Sequence, residues 1–177
     1  MRRLTWIQRV YWTRFSKPIS DRELARQLIA NPIASLLEIG IGRGERMQRI
    51  AQLVTLSGDT ERLRYIGVDE FEAAKDGGQH LSLKTAHQVA SRVGFKVSLI
   101  PGDIKSAMPR VAHKFGASDL IVIDGGLDPA QPNSSPITPW LNRIAHDNSI
   151  ILACAQPGQT LTLVTREAAS QTLRAAA

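Results

Sequence analysis

The chain has 177 residues, of which 43% are hydrophobic and 21% are charged, with a formal net charge of +6. This balance is typical of one globular domain and excludes a disordered or low-complexity chain. All apolar runs are strand-sized, so the sequence predicts no integral membrane association and a cytoplasmic location. The single cysteine, Cys154, lies in an apolar run, which excludes an intramolecular disulfide and predicts a buried thiol.

The N-terminal segment, residues 1–33, is basic and rich in aromatic side chains, and it is predicted to be a helical extension. Residues 1–30 carry seven Lys or Arg against two acids, a net charge of +5 that leaves +1 for the rest. Helical spacing places Leu4, Ile7, Tyr11 and Phe15 on one stripe, which we expect to cover the sheet or the mouth of a site. The alternatives are contact with nucleic acid through basic and stacking side chains, or contact with a membrane surface.

The next elements are a helix over residues 20–31 and then the run LLEIGIGRG, residues 36–44. Its apolar start predicts a strand that is buried on both faces. The three glycines that follow let the backbone turn sharply and bring main-chain N–H groups close to a ligand. A helix predicted over residues 45–54 points its positive end at the same space. We therefore expect a nucleotide-type site, the alternative being a tight strand-to-helix connection without a ligand.

The spacing and charge of this turn narrow the kind of ligand. A dinucleotide fingerprint is G-x-G-x-x-G, whereas here the third glycine, Gly44, comes one position earlier, and no Lys-Ser or Lys-Thr follows as in a P-loop. Glu38 precedes the turn and Glu45 follows it. These acids are poor neighbours for a diphosphate, but they suit a ligand that carries an ammonium group and a sulfonium.

Three later strands are each predicted to end in acidic residues. The strand over residues 63–71 ends in Asp69 and Glu70, the strand over 97–104 contains Asp103, and the strand over 118–126 contains Asp124. A helix is predicted between the first two of these strands, over residues 82–93. In a doubly wound sheet the carboxyl ends of parallel strands meet at one edge, so we expect these carboxylates to share a pocket. The alternative for Asp69 and Asp103 is that they cap the following helices or turns.

The C-terminal part predicts a long loop and two more strands. Residues 125–139 contain four prolines and form the loop. A short helix near residues 140–146 leads to a fifth strand over 149–154. A turn then leads into a final strand within 160–166, which we expect to run antiparallel to the fifth. Residues 167–177 are predicted to be a frayed or disordered tail.

The order of these motifs, over roughly residues 35–126, resembles that of the class I S-adenosylmethionine-dependent methyltransferases. Their first motif, E-x-G-x-G-x-G, matches residues 38–44. The resemblance implies that an acid at the end of the second strand accepts the ribose hydroxyls, and that a later acid and the next N–H bind the adenine. It also implies that the acid ending the fourth strand lies next to the transferred methyl group, which makes Asp124 the predicted catalytic residue. The implied cofactor-binding residues are Glu38, Gly40, Ile41, Gly42, Gly44, Asp69, Glu70, Asp103 and Ile104.

For the whole chain, the resemblance implies an α/β fold with a doubly wound, mostly parallel sheet. The expected strand order is 3-2-1-4-5 plus an antiparallel C-terminal strand beside the fifth, within a Rossmann-like domain over residues 34–166. The implied activity is methyl transfer from S-adenosylmethionine to a small-molecule or RNA acceptor. Ala155 and Gln156 stand where the metal-dependent branch has an Asp-Asn pair, so the prediction is metal-independent transfer without a metal site.

For Asp124, two roles remain open beside the catalytic one, which are orienting the methionine ammonium group and closing the strand end through hydrogen bonds to Gly125 or Gly126. Two other functions also remain open. One is a regulatory or scaffold protein that binds S-adenosylmethionine without turnover. The other is a nicotinamide-dependent oxidoreductase, which only the glycine turn and the acid after the second strand support.

Overall fold

A six-stranded sheet with helices on both faces forms the centre of the protein. In a computed structural model of the chain, the structure describes residues 4–57, 63–74, 80–92, 96–131 and 135–164. The strands are β1 Ser35–Ile39, β2 Arg64–Asp69, β3 Lys96–Pro101, β4 Ser118–Asp124, β5 Ala145–Cys154 and β6 Thr162–Leu163. The predicted tail, residues 167–177, lies outside the described residues.

The strand order is β3-β2-β1-β4-β5-β6, with parallel pairing throughout except for the antiparallel pair β5 and β6. This confirms the predicted fold class and strand order. β1 is central and pairs with β2 on one side and β4 on the other. The carboxyl ends of these three strands therefore lie side by side.

Two helical layers cover the sheet. The helices are α1 Trp6–Val10, α2 Arg22–Ala30, α3 Glu45–Ser57, α4 Leu83–Arg92, α5 Ile104–Phe115 and α6 Thr138–Ile144. A π-helical turn, Tyr11–Phe15, continues α1, and 3₁₀ turns lie at Ile19–Asp21 and Phe71–Ala73. No helix among the described residues is both long and apolar enough to cross a bilayer.

Neighbouring side chains of β1 enter different hydrophobic clusters. Leu36 packs in a cluster with Leu24 of α2 and Met47 of α3, whereas Leu37 packs in a cluster with Met108 of α5. Successive side chains of a strand point to opposite faces, and both faces of this sheet are covered. This is why neighbouring residues of the strand are apolar instead of alternating with polar ones.

The boundaries of the last elements differ from the prediction. Helix α6 spans residues 138–144 instead of 140–146, and β5 begins at Ala145 instead of residue 149. The register of the pairing between β4 and β5 shifts between Ser118 and Leu120, so the first half of β5 pairs irregularly with β4. The local sequence pattern does not reveal such an irregular start of a strand.

The expected burial of the N-terminal stripe is wrong. Leu4 is buried, but Ile7, Tyr11 and Phe15 are 73%, 54% and 66% exposed. Leu4 precedes α1, whereas Ile7 within the regular helix is already exposed. The stripe therefore faces outward instead of covering the sheet.

Candidate functional site

A cavity of about 560 Å³ opens at the carboxyl edge of the sheet. Its walls come from the ends of β1, β2 and β4, the turn after β3 and the start of α5. The strand order makes this meeting possible, because it places β1 between β2 and β4. The cavity is lined by six of the predicted site residues, which are Gly40, Asp69, Glu70, Asp103, Ile104 and Asp124.

Different features of the structure favour glycine at the three positions of the turn. All have positive φ, at +86° for Gly40, +55° for Gly42 and +73° for Gly44. A Cβ at Gly40 would lie 2.8 Å from the main-chain oxygen of Asp124, and one at Gly44 would lie 2.5 Å from Leu81 Cδ1. A Cβ at Gly42 would meet nothing within 4 Å. Close packing against the backbone therefore requires glycine at position 40. At Gly44 the neighbour is the end of a flexible side chain, so the positive φ is the constraint, and the backbone at Gly42 faces open space.

Asp69 fixes the glycine turn to the end of β2. Its Oδ2 accepts a hydrogen bond of 2.8 Å from the Gly42 N–H, and its Oδ1 accepts one of 2.8 Å from the Phe71 N–H. His80 Nδ1 lies 3.5 Å from Asp69 Oδ1. A carboxylate has about four acceptor positions, so acceptor capacity remains beyond these two backbone bonds. Phe71 is buried at φ +52°, a rare conformation for a bulky residue.

Asp103 and Ile104 begin helix α5. Asp103 is its N-cap and accepts a hydrogen bond of 2.8 Å from the Ser106 N–H. The hydrogen bonds from Ser106 hold the pKa of this exposed carboxyl below its usual value. The capping role that the sequence left open is therefore observed for Asp103, whose side chain lies at the cavity as well.

Asp124 lies where two cavities meet, because it lines both of them. Its Oδ2 is 3.0 Å from Arg46 Nη1, and its Oδ1 accepts a hydrogen bond of 2.9 Å from the Gly158 N–H. The Cys154 Sγ donates to the same Oδ1 over 3.3 Å. The carboxylate does close the strand end, but through Gly158 rather than through Gly125 or Gly126 as expected.

The structure confirms the prediction that the Cys154 thiol is buried. The residue is 2% exposed. Burial and the neighbouring Asp124 raise the pKa of its thiol to about 11. The thiol is therefore protonated at neutral pH.

Glu38 is buried below the turn and lines neither cavity. Its Oε2 accepts a hydrogen bond of 2.5 Å from the Tyr65 hydroxyl, and its Oε1 lies 3.9 Å from Arg46 Nη1. Burial raises the pKa of this carboxyl to about 7, although Arg46 and Tyr65 act in the opposite direction. Its predicted contact with a cofactor stays a prediction, since the carboxylate points at these two residues.

Arg46 is a residue of the site that sequence reasoning missed. It is 6% exposed and links Glu38 of β1 with Asp124 of β4. Its Nε also donates to Asp21 Oδ1 over 3.0 Å, and Arg49 Nη2 lies 2.5 Å from Asp21 Oδ2. A signal in the sequence was the position of Arg46, one residue after the start of the helix that follows the strand containing Glu38. An arginine in a helix is usually solvated, so this signal is weak. These contacts tie the N-terminal segment to the glycine turn.

A second cavity of about 460 Å³ adjoins the first and shares His80 and Asp124 with it. It lies between the N-terminal segment at Pro18, the glycine turn at Ile41 and Gly42, and the turn at Gly158. The predicted residues Ile41 and Gly42 therefore belong to this second cavity. Gly44 lines neither of the two.

In the described part of the chain, no group of three or more His, Cys, Asp or Glu side chains is placed to hold a metal ion. His80 lies at the cavity beside Asp69, whereas His87 is exposed on α4.

Comparison with known proteins gives matches at the level of structure. No protein-family model matches the chain. No curated protein sequence matches it either. Among solved structures, CalS11, a TDP-rhamnose 3′-O-methyltransferase of calicheamicin biosynthesis, is similar with a TM-score of 0.55 and 20% identity over 85% of this chain. A putative protein-L-isoaspartate O-methyltransferase from Plasmodium falciparum, in complex with S-adenosyl-L-homocysteine, has a TM-score of 0.51 and 13% identity over 81% of this chain.

The chain has the fold of the class I S-adenosylmethionine-dependent methyltransferases. It spans 64% of the length of CalS11 and 61% of the length of the Plasmodium protein. A third match, the Trypanosoma brucei PRMT1 enzyme-prozyme complex, has a TM-score of 0.50 and 18% identity, and the chain spans 40% of its length. The methyltransferase fold places the cavity at the carboxyl edge of the sheet, where open α/β sheets bind their ligands.

Proposed function

We propose that the chain is a metal-independent methyltransferase domain that binds S-adenosylmethionine in the cavity at the carboxyl edge of the sheet. The observation that carries this proposal is the meeting of a glycine turn with carboxylates from three strand ends at one cavity of about 560 Å³. A drug-sized ligand needs a cavity of about 300 to 1,000 Å³. The Plasmodium protein of similar fold holds S-adenosyl-L-homocysteine, the product that S-adenosylmethionine leaves after methyl transfer, and this supports the same ligand.

The lining residues fit the parts of this cofactor. Asp69 has acceptor capacity for the ribose hydroxyls, and Glu70 is the alternative at the cavity mouth. The Asp103 carboxylate and the Ile104 N–H suit the adenine amino group and ring. Where this cavity meets the second one, the open backbone at Gly42 and the positive end of α3 leave room for the methionine carboxylate.

Asp124 is proposed to orient the acceptor or the cofactor's ammonium group. When bound, the cofactor supplies an electrophilic methyl group, so the protein contributes mainly by holding the acceptor in line with it. The Asp124 carboxylate is held by Arg46 and by the Gly158 N–H, which fixes its position between the two cavities. We propose that a small-molecule or RNA acceptor enters through the second cavity.

The second candidate function is the binding of S-adenosylmethionine without methyl transfer. The Asp124 carboxylate already has an ionic partner in Arg46, an arrangement that also suits a regulatory protein which binds S-adenosylmethionine without transferring its methyl group. Ligand binding without methylation of any acceptor in a broad screen would favour this candidate.

The cytoplasmic location also remains a prediction from the sequence.

Thermal unfolding in the presence of candidate ligands tests the proposal. A ligand at about one hundred times its dissociation constant adds about 2.7 kcal/mol to stability. For a domain of this size that raises the midpoint by about 5 to 10 °C. We expect this shift with S-adenosylmethionine and S-adenosylhomocysteine, and none with NAD or NADP. A shift with NAD alone would overturn the proposal.

The variant Gly42→Asn locates the ligand. Asparagine tolerates a positive φ, and its side chain would fill the open space above the turn. We expect a folded protein without the ligand shift. Gln48→Asn is the control, because Gln48 is exposed on α3 just after the turn and lines neither cavity. The control should keep the shift, and an equal shift in Gly42→Asn would refute the site.

A further inference from the structure

The N-terminal segment exposes an unusual amount of apolar surface. Single exposed apolar side chains are ordinary, but contiguous groups mark interaction surfaces. Within residues 6–19 five large apolar side chains are more than half exposed, and we call them the N-terminal apolar face. They are Trp6 at 77%, Ile7 at 73%, Tyr11 at 54%, Phe15 at 66% and Ile19 at 61%.

The charged residues of the segment that carries this face are all basic. Residues 1–20 contain five Lys or Arg and no acidic residue. Among them Arg9, Arg14 and Lys17 are exposed beside the face. The first acid, Asp21, is buried and paired with Arg46 and Arg49. The face therefore suits an anionic partner, and it repels the same face of a second copy.

The segment is fixed to the domain by its other side. Leu4 and Ser16 are buried, and Asp21 holds the end of the segment through its ion pairs with α3. The apolar side chains consequently point away from the domain into the solvent. Protruding aromatic and aliphatic groups flanked by arginines are typical of helices that lie in the headgroup region of a bilayer.

We propose that the N-terminal apolar face binds the surface of a bilayer that contains anionic phospholipids. Two observations favour lipid over single-stranded RNA. Ile7 and Ile19 have no ring on which a base could stack. The Tyr11 ring already makes an edge-on contact with Trp12, with ring centroids 5.9 Å apart at 81°. Insertion of these groups, with the arginines at lipid phosphates, anchors the domain without a membrane-spanning helix.

Flotation of the protein with vesicles tests this binding. Vesicles of phosphatidylcholine with about 30% phosphatidylglycerol are compared with vesicles of phosphatidylcholine alone. Each basic residue near an anionic surface strengthens binding about fivefold, so Arg9→Gln with Arg14→Gln should weaken it about 25-fold. The matched control is Lys114→Gln with Arg143→Gln, which removes the same charge from α5 and α6 on the opposite face of the sheet. The control should bind like the wild type.

The double variant Ile7→Ser and Phe15→Ser separates insertion from simple charge attraction. Both side chains are exposed, so we expect the variant to fold with an unchanged melting temperature and to lose at least tenfold in vesicle binding. In a variant that keeps Trp6 as its only tryptophan, anionic vesicles should shift the emission of Trp6 to shorter wavelength.

Three results would overturn the proposal. The first is no flotation with anionic vesicles at low salt, and the second is flotation that the Ile7 and Phe15 changes leave intact. The third is a wild-type protein that does not bind vesicles but forms a complex with a 20-nucleotide RNA, or a dimer seen by light scattering, which the Ile7 and Phe15 changes abolish. That last outcome would assign the face to RNA or to a second copy. None of these readouts depends on S-adenosylmethionine, so the result is independent of the proposed function.

Discussion

Arg46 is a charged side chain that is buried among carboxylates from three parts of the chain. It contacts Asp21, Glu38 and Asp124 at 3.0, 3.9 and 3.0 Å. Taking charges out of water is expensive, and removing one partner leaves the others uncompensated. The stability of the site therefore depends on Arg46, which is not one of the predicted cofactor-binding residues.

We expect Arg46→Met to lower the free energy of unfolding by about 3 to 5 kcal/mol, because Asp21 and Asp124 lose their buried cation. Urea denaturation at pH 7 measures this change. The control is Arg26→Met, which breaks the exposed pair of Arg26 with Glu23 and should change stability by about 1 kcal/mol or less. Equal losses in the two variants would contradict the structural importance of the buried cluster.

Glu38 gives a pH dependence of the opposite sign to that of an ordinary surface carboxylate. Its pKa is about 7 in the folded state against an ordinary value of 4.5, chiefly because it is fully buried. The folded protein therefore holds the proton more tightly than the unfolded chain does. The stabilisation is complete below pH 4.5 and is lost as the pH rises through about 7.

The variant Glu38→Gln isolates this effect, because glutamine keeps the shape of the neutral carboxyl and cannot ionise. We expect the stability of the variant relative to the wild type to rise between about pH 4.5 and pH 7, by an amount on the order of 3 kcal/mol. Urea denaturation of both proteins across this range measures the difference. A difference that is independent of pH would show that Glu38 is ionised in the folded state throughout.

At the scale of elements, the glycine turn and the first turn of α5 each serve packing as well as the site. The E-x-G-x-G-x-G pattern correctly predicted a strand, a turn and a helix, because positive φ and close approach leave few alternatives to glycine. The pattern does not reveal that Gly44 packs against Leu81, which is 37 positions later in the chain. Such contacts depend on the path of the intervening chain.

Asp103 provides a test at the same scale, since it both caps α5 and lines the cavity. We expect Asp103→Ala to lower the melting temperature by about 2 to 4 °C, because the Ser106 N–H loses its acceptor. Asp103→Asn should keep the melting temperature, because asparagine is an equally good N-cap. Thermal unfolding without ligand measures both variants. Equal losses in the two would show that the negative charge, rather than the cap, stabilises the helix.

The N-terminal helical segment shows where prediction from periodicity fails. Leu4, Ile7, Tyr11 and Phe15 have helical spacing, yet only Leu4 is buried. A period identifies which residues share a face, but it cannot tell whether that face meets the sheet or the solvent. Ile7 lies in α1, before the π-helical turn, and is already exposed, so the way the segment packs on the domain decided the outcome.

At the scale of the whole molecule, the sheet topology assembles the site. Glycine turn, Asp69, Asp103 and Asp124 are separated by tens of residues, and the order β3-β2-β1-β4 brings their strand ends to one edge. The resemblance of the motif order to the class I methyltransferases implied this strand order, and the carboxyl ends of neighbouring parallel strands meet at one edge. The N-terminal segment and the turn at Gly158 then form a second cavity beside the first.

By itself, the sequence determined the fold class, the strand order and six residues of the cavity wall, because its buried strand, glycine turn and acids at strand ends are local signals whose order resembles that of a known family. Only the tertiary structure revealed the role of Arg46, the burial of Glu38 away from the cavity and the outward face of the N-terminal segment. These features depend on which distant side chains meet. The physical reason is that burial and charge pairing are properties of the packed chain, and a local pattern constrains only conformation and periodicity.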